Sequence, residues 1–312
     1  PAAVLGLCSI LLAETTTPVG YNTVTTVAGN DTIVGVPFHD TPTYIRSFSE
    51  AAVTDAANDV GEITTSGGFT ADQFTFNPPT QPVQYYVRIK SGNAEGAWYD
   101  VTSNTATTLT VDTAGDPDFA DIDLPSDTSL EVIPYWTLDT LLPGGEGLNA
   151  SSSLSTPDGD LIFFVTPEGA QTFSGGPANS LEISAEVTFT YYDGTDGGSA
   201  GFYNVDDTAA GPQGDTAFAP DTIFVIRNQT ETTGSVTFAG TVPSPNISSV
   251  LKLTQDLDSE TNFFANPFPV SLSLQATGLS SSPFFAQTSS LRDFDGDFVK
   301  VYQRVTDPAD AR

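Results

Sequence analysis

Residues 96–111 read Gly-Ala-Trp-Tyr-Asp-Val-Thr-Ser-Asn-Thr-Ala-Thr-Thr-Leu-Thr-Val, and this stretch decides the class of fold. Trp98 and Tyr99 begin a run of aromatic and β-branched residues, which favour the half-buried surface of a strand. Ser103, Asn104 and Thr105 have the side chains of a turn. A second β-branched run then returns over residues 107–111. The spacing predicts a hairpin of two antiparallel strands.

The same pattern recurs along the rest of the chain. Short runs rich in Val, Ile, Thr, Phe and Tyr lie between Gly, Pro, Asn and Asp residues, which is typical of sandwich and barrel proteins. These runs occupy residues 21–27, 31–36, 83–90, 181–191, 222–227 and 235–239. The run at 222–227 is almost entirely apolar and predicts a central strand. The sequence therefore predicts an all-β fold of antiparallel sandwich or barrel modules.

Very little helix is predicted. The best helical patterns lie at residues 137–142, where Pro143-Gly144-Gly145 would stop a helix, and at residues 47–57. Neither pattern is long enough to alternate with the strands as βαβ units do.

The length of 312 residues fits one large or two medium β domains. Residues 1–13 form an apolar segment that resembles the core of a signal peptide and is too short to cross a bilayer. A stretch rich in Gly, Asn, Ser and Pro over residues 142–155 suggests a boundary. We predict one β domain over residues 14–145 and a second over residues 146–312, cut short at its C-terminal end.

Two internal echoes suggest that a β module is duplicated. An Asp-Gly-Asp turn leads into an apolar run at residues 157–162 and again at 294–299. An extended run ends in Pro-Phe at residues 31–38 and again at 261–268. Repeated patterns of this kind are the sequence signature of a repeated structural unit.

The charge excludes one large class of function. The chain has 9 Lys and Arg residues against 39 Asp and Glu residues, a formal net charge of −30. A basic stripe, which nucleic-acid binding needs, is absent because the few cations are scattered.

Cys8 is the sole cysteine, so no disulfide forms within one chain. No later run reaches the length of a transmembrane helix, and with the apolar N-terminal segment this predicts a secreted protein at the cell surface or beyond it.

Calcium is the cofactor that the acidic segments favour, because Ca²⁺ prefers clustered oxygen ligands. The Asp293-Phe-Asp-Gly-Asp297 segment is not an EF-hand, since its Gly is fourth and Arg304 stands where a Glu is needed. A different calcium loop is one interpretation of these segments, and solvated Asp turns are the other. The candidate metal ligands are Asp112, Asp116, Asp118, Asp121, Asp123, Asp293, Asp295 and Asp297.

No enzyme active site is predicted. His39 is the sole histidine, and no Gly-x-Ser-x-Gly nucleophile motif accompanies it, so it is interpreted as a turn or packing residue. Pairs of carboxylates suitable for glycoside hydrolysis can be drawn almost anywhere in so acidic a chain. Glu182 and Glu186 share one face of a predicted strand and are interpreted as solvated.

Several segments together resemble one protein family. They lie at residues 17–21, 36–39, 85–92, 95–99, 102–111, 133–138, 224–228 and 266–269. The order of these segments is similar to that in a family of uncharacterised secreted β-rich proteins known mainly from verrucomicrobial bacteria. The resemblance implies export and a β-rich fold, and it supplies no catalytic or ligand residues. The chain departs from the family in an Asp- and Gly-rich segment at residues 193–221.

Two functions remain open at this level. The first is a non-enzymatic extracellular structural protein, a subunit of a filament, sheath or surface layer that assembles by β-strand pairing. Its Thr- and Val-rich N-terminal segment, residues 14–27, is the expected pairing strand. The alternative is a polysaccharide-binding module in which Trp98, Tyr99 and Trp136, helped by Tyr85, Tyr191 and Tyr192, stack on sugar rings. The other interpretation of these aromatic residues is that they pack in the hydrophobic core.

Overall fold

The computed structural model describes residues 18–36, 38–92, 94–114, 119, 129–164, 187–220, 222–242 and 273–277. Every ladder between strands in these ranges is antiparallel, which confirms the all-β fold class. The strands are β1 Val19–Thr26, β2 Asp31–Gly35, β3 Tyr44–Asp55, β4 Val60–Thr65, β5 Tyr85–Ile89, β6 Trp98–Asn104, β7 Thr108–Asp112, β8 Ser129–Pro134, β9 Trp136–Thr137, β10 Leu161–Phe164, β11 Val187–Tyr192, β12 Gly201–Asn204, β13 Ala217–Phe218, β14 Ile223–Arg227 and β15 Gly234–Thr241.

Six of these strands close into a barrel in the order β3-β4-β7-β6-β5-β8. Alternate residues of each strand point inward, so the barrel has a continuous apolar interior that includes the fully buried Ile63, Leu109, Val111 and Leu130. The predicted hairpin at residues 96–111 is confirmed as β6 and β7, with Asn104 paired to Leu109 across its turn.

The remaining strands form a sandwich. Its larger sheet has the order β12-β11-β10-β14-β2, and β14 lies inside it, as its apolar sequence predicts. Two smaller pairs, β1-β15 and β9-β13, pack with the helix on this sheet. The sandwich core includes Ile162, Phe224, Ile226, Val236 and Phe238, all fully buried.

The barrel is inserted between two strands of the sandwich, because β3 to β8 lie in sequence between β2 and β9. Strand β1 pairs with β15 and β2 pairs with β14, so the sandwich combines residues near 20–35 with residues near 223–241. The predicted boundary at residue 145 does not coincide with this arrangement. It separates strands that are hydrogen-bonded to one another.

Of the two helical patterns, one is confirmed and one is wrong. Helix α1, Leu138–Leu141, begins at Thr137, whose hydroxyl accepts from the Thr140 N–H, while the Thr140 hydroxyl accepts from the Thr137 N–H. Residues 47–55 belong instead to β3. This strand pairs with β8 through residues 44–47 and with β4 through residues 48–55, and barrel closure therefore overrides a weak local preference for helix.

Several sequence predictions fall outside the described residues. They are the apolar segment 1–13, the strand at 181–186 with Glu182 and Glu186, and the second members of both internal echoes. Within the described part of the chain, no helix has the length and apolarity required to span a membrane.

Two glycines allow the ribbon β1-β15 to pack on the sandwich. Gly20 and Gly240 are paired directly across the ribbon, and both lie against the buried side chain of Phe38. A Cβ at Gly240 would lie 2.5 Å from the Phe38 Cβ and 3.0 Å from the His39 carbonyl oxygen. A side chain at this position therefore forces the backbone of residues 38–39 away from the ribbon.

We expect Gly240→Ala to lower the free energy of unfolding by about 2 kcal/mol, a typical cost of overpacking a filled interior. The neighbouring Ala239 is exposed, and Ala239→Ser is the matched control with an expected change below about 0.5 kcal/mol. Urea unfolding followed by circular dichroism measures both. Equal stabilities for the two variants would show that Phe38 does not pack as described.

Candidate functional site

The ribbon formed by β1 and β15 is the first candidate surface. Its eight residue pairs run from Val19 with Thr241 to Thr26 with Gly234 without a bulge or register shift. One face is buried through Thr26, Val236 and Phe238. The ribbon is therefore held firmly on the sandwich, while its other face is turned to solvent.

The outer face of the ribbon is uncharged. It presents Tyr21, Thr23 and Thr25 on β1, and the Thr23 and Thr237 hydroxyl groups lie 2.9 Å apart across the two strands. Tyr21 is 70% exposed and Val19 is 57% exposed. None of the sixteen ribbon residues is Asp, Glu, Lys, Arg or His. In a chain of net charge −30, this face is a local gap in the negative surface.

The two strands of the ribbon differ in what lies beside them. The C-terminal end of β15 forms an isolated β-bridge with His39, because the Thr241 N–H donates to the His39 carbonyl at 2.9 Å. Gly147 contacts β15 near Ser235 at its other end. For β1, pairing within the described residues is with β15 alone. A strand paired on one side turns every second N–H and C=O group away from its partner, so β1 is an edge strand within the part of the chain that the structure describes.

The aromatic residues predicted to bind sugar have different environments. Tyr99 is buried inside the barrel, where its ring packs on Phe119 at a centroid distance of 4.9 Å. Trp136 is half-buried against the sandwich core, and its Nε1–H donates to the Phe38 carbonyl at 2.9 Å. These contacts make both residues structural. Trp98 differs, because it lies in a groove on the outer wall of the barrel.

The other three aromatic candidates pack mainly on neighbouring rings. Tyr192 is buried, and Tyr191 packs on Phe202 at a centroid distance of 5.1 Å. Tyr85 packs on Phe74 at 5.1 Å, but part of its surface reaches the same groove as Trp98. The structure therefore brings Trp98 and Tyr85 together and separates the rest.

This junction groove is the second candidate surface. It has a volume of about 450 Å³ and lies between the outer wall of the barrel and strand β13 of the sandwich. Strand β13 is fixed there by its pairing with β9. The lining residues come from five separate parts of the chain: Phe76, Gln84, Tyr85, Trp98, Asp100, Val101, Thr102, Tyr135, Ala217, Phe218 and Ala219.

A carboxylate and a phenol meet in the groove. The Tyr135 hydroxyl donates a hydrogen bond to Asp100 Oδ1. Burial raises the pKa of Tyr135, and the hydrogen bond to Asp100 and the charge of Asp100 raise it further. The phenol therefore stays protonated, and its donation fixes the carboxylate of the exposed Asp100 in the groove.

The chain has no recognised relative among known proteins: no family model, no curated protein and no solved structure matches it. The resemblance drawn from the sequence segments therefore stays a prediction, and the two surfaces are interpreted from their geometry alone.

The predicted calcium ligands lie mostly outside the described residues. Asp116, Asp118, Asp121, Asp123, Asp293, Asp295 and Asp297 are all in this category. Asp112 is exposed at the end of β7, and its Oδ1 accepts from the Ala114 N–H at 2.9 Å, which is an Asp turn. Among the residues that the structure describes, no three His, Cys, Asp or Glu side chains are grouped for a metal. A calcium loop at the predicted positions stays a prediction.

His39 lies at the junction of sandwich and barrel and is 8% exposed. Its Nδ1 lies 2.9 Å from the Asp40 carbonyl oxygen, and its Nε2 is buried without a hydrogen-bond partner among the described residues. Burial lowers the pKa of His39, and the positive charges of Arg88 and Lys90 lower it further. The hydrogen bond to Asp40 and the negative charge of Glu131 raise it, but by less. The ring is therefore neutral in the folded protein at pH 7.

Acidification is expected to destabilise the protein through His39. Its pKa in the folded chain lies below the ordinary value of 6.5, so the unfolded chain binds more protons and stability falls as the pH falls through 6.5. Burial raises the pKa of Asp160, which makes stability rise as the pH falls. This contribution is the same in the wild type and in a His39 variant, so it cancels when the two are compared. Urea unfolding at neutral pH and at about pH 5 should show a smaller loss for His39→Gln than for the wild type. Equal losses would contradict this role.

The groove was missed from the sequence, although one signal for it was present. Alternation along β6 places Trp98, Asp100 and Thr102 on the outer face of the barrel and Tyr99 and Val101 on the inner face. That alternation separates the groove-facing Trp98 from the core residue Tyr99. The remaining lining residues are distant in sequence, so no local pattern predicts their meeting.

Proposed function

We propose that this chain is an extracellular, non-enzymatic structural subunit that associates with further copies of itself through the edge of β1. The observation that carries the proposal is the character of this strand: it is eight residues long, unbulged, uncharged and paired on one side among the described residues. Folded proteins ordinarily protect such an edge with Lys, Pro, a bulge or a covering loop. Strand β1 contains none of the first three.

The geometry favours a two-fold contact between copies. Two β1 strands that pair antiparallel join their ribbons into one sheet of order β15-β1-β1-β15, and each residue of one copy meets the same surface of the other. Such a contact satisfies the outward N–H and C=O groups of both strands at once. Exposed Val19 and Tyr21 then gain cross-strand neighbours across the new contact.

Charge determines where two copies can approach. With a net charge of −30, most of the surface repels a second copy, and this repulsion keeps the protein soluble and separate. The ribbon is a surface without ionisable acidic or basic side chains, so approach there costs least. Association is therefore expected to strengthen as salt screens the remaining carboxylates, over a screening distance of about 10 Å at 0.1 M.

A closed pair of copies is not yet a filament or layer. Growth into a filament or layer needs a second contact between copies. We propose that calcium, held between carboxylates of neighbouring copies, forms this second contact. The support is compositional: acidic clusters such as the one from Asp112 onwards supply the oxygen ligands that Ca²⁺ prefers. The extracellular setting supplies the ion, and the apolar N-terminal segment supports export.

Sedimentation of the purified protein over a series of concentrations tests the proposal. We expect a reversible dimer whose population rises with protein concentration and with added NaCl, and larger assemblies visible by negative-stain electron microscopy after CaCl₂ is added. A protein that stays monomeric at all concentrations, in salt and in calcium, would overturn the structural role. Assembly in calcium without a salt-dependent dimer would overturn the β1 contact.

A further inference from the structure

The junction groove has the chemistry of a carbohydrate site. We propose that it binds a neutral pyranose residue of a polysaccharide, with the ring placed between Trp98 and Phe218 and its hydroxyl groups directed to Asp100 and Thr102. This site is on the barrel wall and does not involve the ribbon. It is therefore independent of self-association and is tested separately.

The size of the groove fits a sugar residue. At about 450 Å³ it falls within the range of small-ligand sites, which is roughly 300–1,000 Å³. It is open to solvent on one side, which allows a chain of linked sugars to pass through and not only a free monosaccharide. Its two walls are rigid, because one belongs to the closed barrel and the other is β13, paired with β9.

The lining combines aromatic faces with hydrogen-bonding groups. Phe76 is 45% exposed, and Trp98, Tyr85 and Phe218 are half-buried with surface in the groove. Aromatic rings are the surfaces on which the C–H faces of a pyranose pack. Trp98 is held in place by edge contacts with Tyr86 and Tyr135, at centroid distances of 6.2 and 6.4 Å. A fixed ring loses little entropy when a ligand binds.

The polar groups favour sugar hydroxyls over other ligands. Asp100 is oriented by the Tyr135 hydroxyl, and a carboxylate is a strong acceptor for two neighbouring O–H groups. Exposed Gln84 adds a donor and an acceptor, and Thr102, whose hydroxyl donates to the Thr110 carbonyl at 3.2 Å, adds an acceptor. This mixture of apolar faces and paired hydrogen-bonding groups matches a ring that is apolar on its faces and hydroxylated around its rim.

The sugar should be neutral. The described residues that line the groove include one carboxylate and no Lys, Arg or His, so a uronic acid or sulfated sugar would meet repulsion without a compensating cation. The net charge of −30 adds a long-range barrier to polyanions. Neutral glucans, mannans and xylans carry no such penalty.

Affinity electrophoresis in gels that contain a neutral polysaccharide tests the site. The probes are hydroxyethyl cellulose, glucomannan, xylan and starch, with polygalacturonate as the anionic comparison. We expect retardation by at least one neutral probe and none by polygalacturonate. Phe76→Ala removes an exposed ring, and Thr102→Val removes an exposed hydroxyl, so both variants should fold. Each should weaken binding about tenfold, the value of one lost stacking or hydrogen-bonding contact.

Ile33→Ala is the matched control, since it removes an exposed apolar side chain of β2 that lies outside both the groove and the ribbon. Its glycan retardation should equal that of the wild type. Trp136→Phe leaves Trp98 as the only tryptophan, so fluorescence of this variant reports the groove directly and should change when the matching oligosaccharide is added. Absence of retardation with every neutral probe, equal retardation by polygalacturonate, or binding unaffected by Phe76→Ala and Thr102→Val would each overturn the proposal.

Discussion

Thr23→Glu is expected to abolish the dimer, with at least a tenfold loss of association at any salt concentration that supports the wild-type dimer. Thr23 lies in the middle of β1 with its side chain on the solvent face. Two glutamates would be brought close together across the two-fold contact, and like charges directly opposite in a sheet are destabilising. Sedimentation equilibrium measures the change in dissociation constant.

Thr237→Glu is the control for this variant. Thr237 is paired directly with Thr23 on the same face, and both substitutions remove the same hydroxyl–hydroxyl hydrogen bond. The two variants therefore have the same charge and similar stability, and they differ in which strand carries the glutamate. Thr237→Glu should dimerise more strongly than Thr23→Glu, because β15 lies one strand further from the contact. Equal loss in both would show that charge alone, and not the β1 edge, controls association.

Asn104→Ala is expected to lower the free energy of unfolding by about 3 kcal/mol, because it breaks three hydrogen bonds and leaves a buried N–H without a partner. The Asn104 Oδ1 accepts from the Phe74 N–H at 2.8 Å. Its Nδ2 donates to the carbonyls of Thr70 and Thr105 at 2.8 and 2.9 Å. The side chain thus ties the segment that carries Phe69 and Phe74 to the end of the barrel.

The consequence of Asn104→Ala reaches the groove, since Phe76 follows directly on the segment that Asn104 holds. Urea unfolding measures the stability, and amide hydrogen exchange of residues 70–76 measures local release. Asn58→Ala is the control: Asn58 is an exposed asparagine whose Nδ2 donates to Asp55 at 2.7 Å, and its loss should cost below about 1 kcal/mol. A similar small cost for both variants would show that the Asn104 bonds do not anchor this segment.

Much of the fold is predictable because its signals are local. The hairpin at residues 96–111 has two β-branched runs at turn spacing, and the apolar run of β14 is long enough to need two neighbours. Val19–Thr26 of the N-terminal Thr- and Val-rich segment form a strand, as predicted. Each of these features depends on residues within one or two strands of each other.

The insertion of the barrel into the sandwich is not predictable in this way. Val19 pairs with Thr241, a partner more than two hundred residues away, and no local pattern encodes that choice. Strand β3 was misassigned for a related reason. Its residues carry mixed propensities, and its conformation is imposed by pairing with β8 at one end and β4 at the other.

The aromatic residues show the same limit at the level of a site. Trp98 and Tyr99 are adjacent, yet one faces the groove and the other faces the barrel core. Composition predicts that aromatic rings either contact a ligand or pack in a core, but it does not predict which ring does which. Deciding requires the direction of the barrel wall, which is set by the closure of six strands.

Dipolar broadening between nitroxide labels on two copies, read from continuous-wave electron paramagnetic resonance spectra, tests the β1 contact most directly. A nitroxide is placed at Thr23→Cys or at Thr237→Cys in a Cys8→Ser background, under conditions that favour the dimer. Neighbouring strands lie about 4.8 Å apart, so labels on the two β15 strands should be farther apart than labels on the two β1 strands. We expect a short intermolecular distance at residue 23 and a longer one at residue 237. Equal distances, the reverse order, or no intermolecular coupling at residue 23 would contradict it.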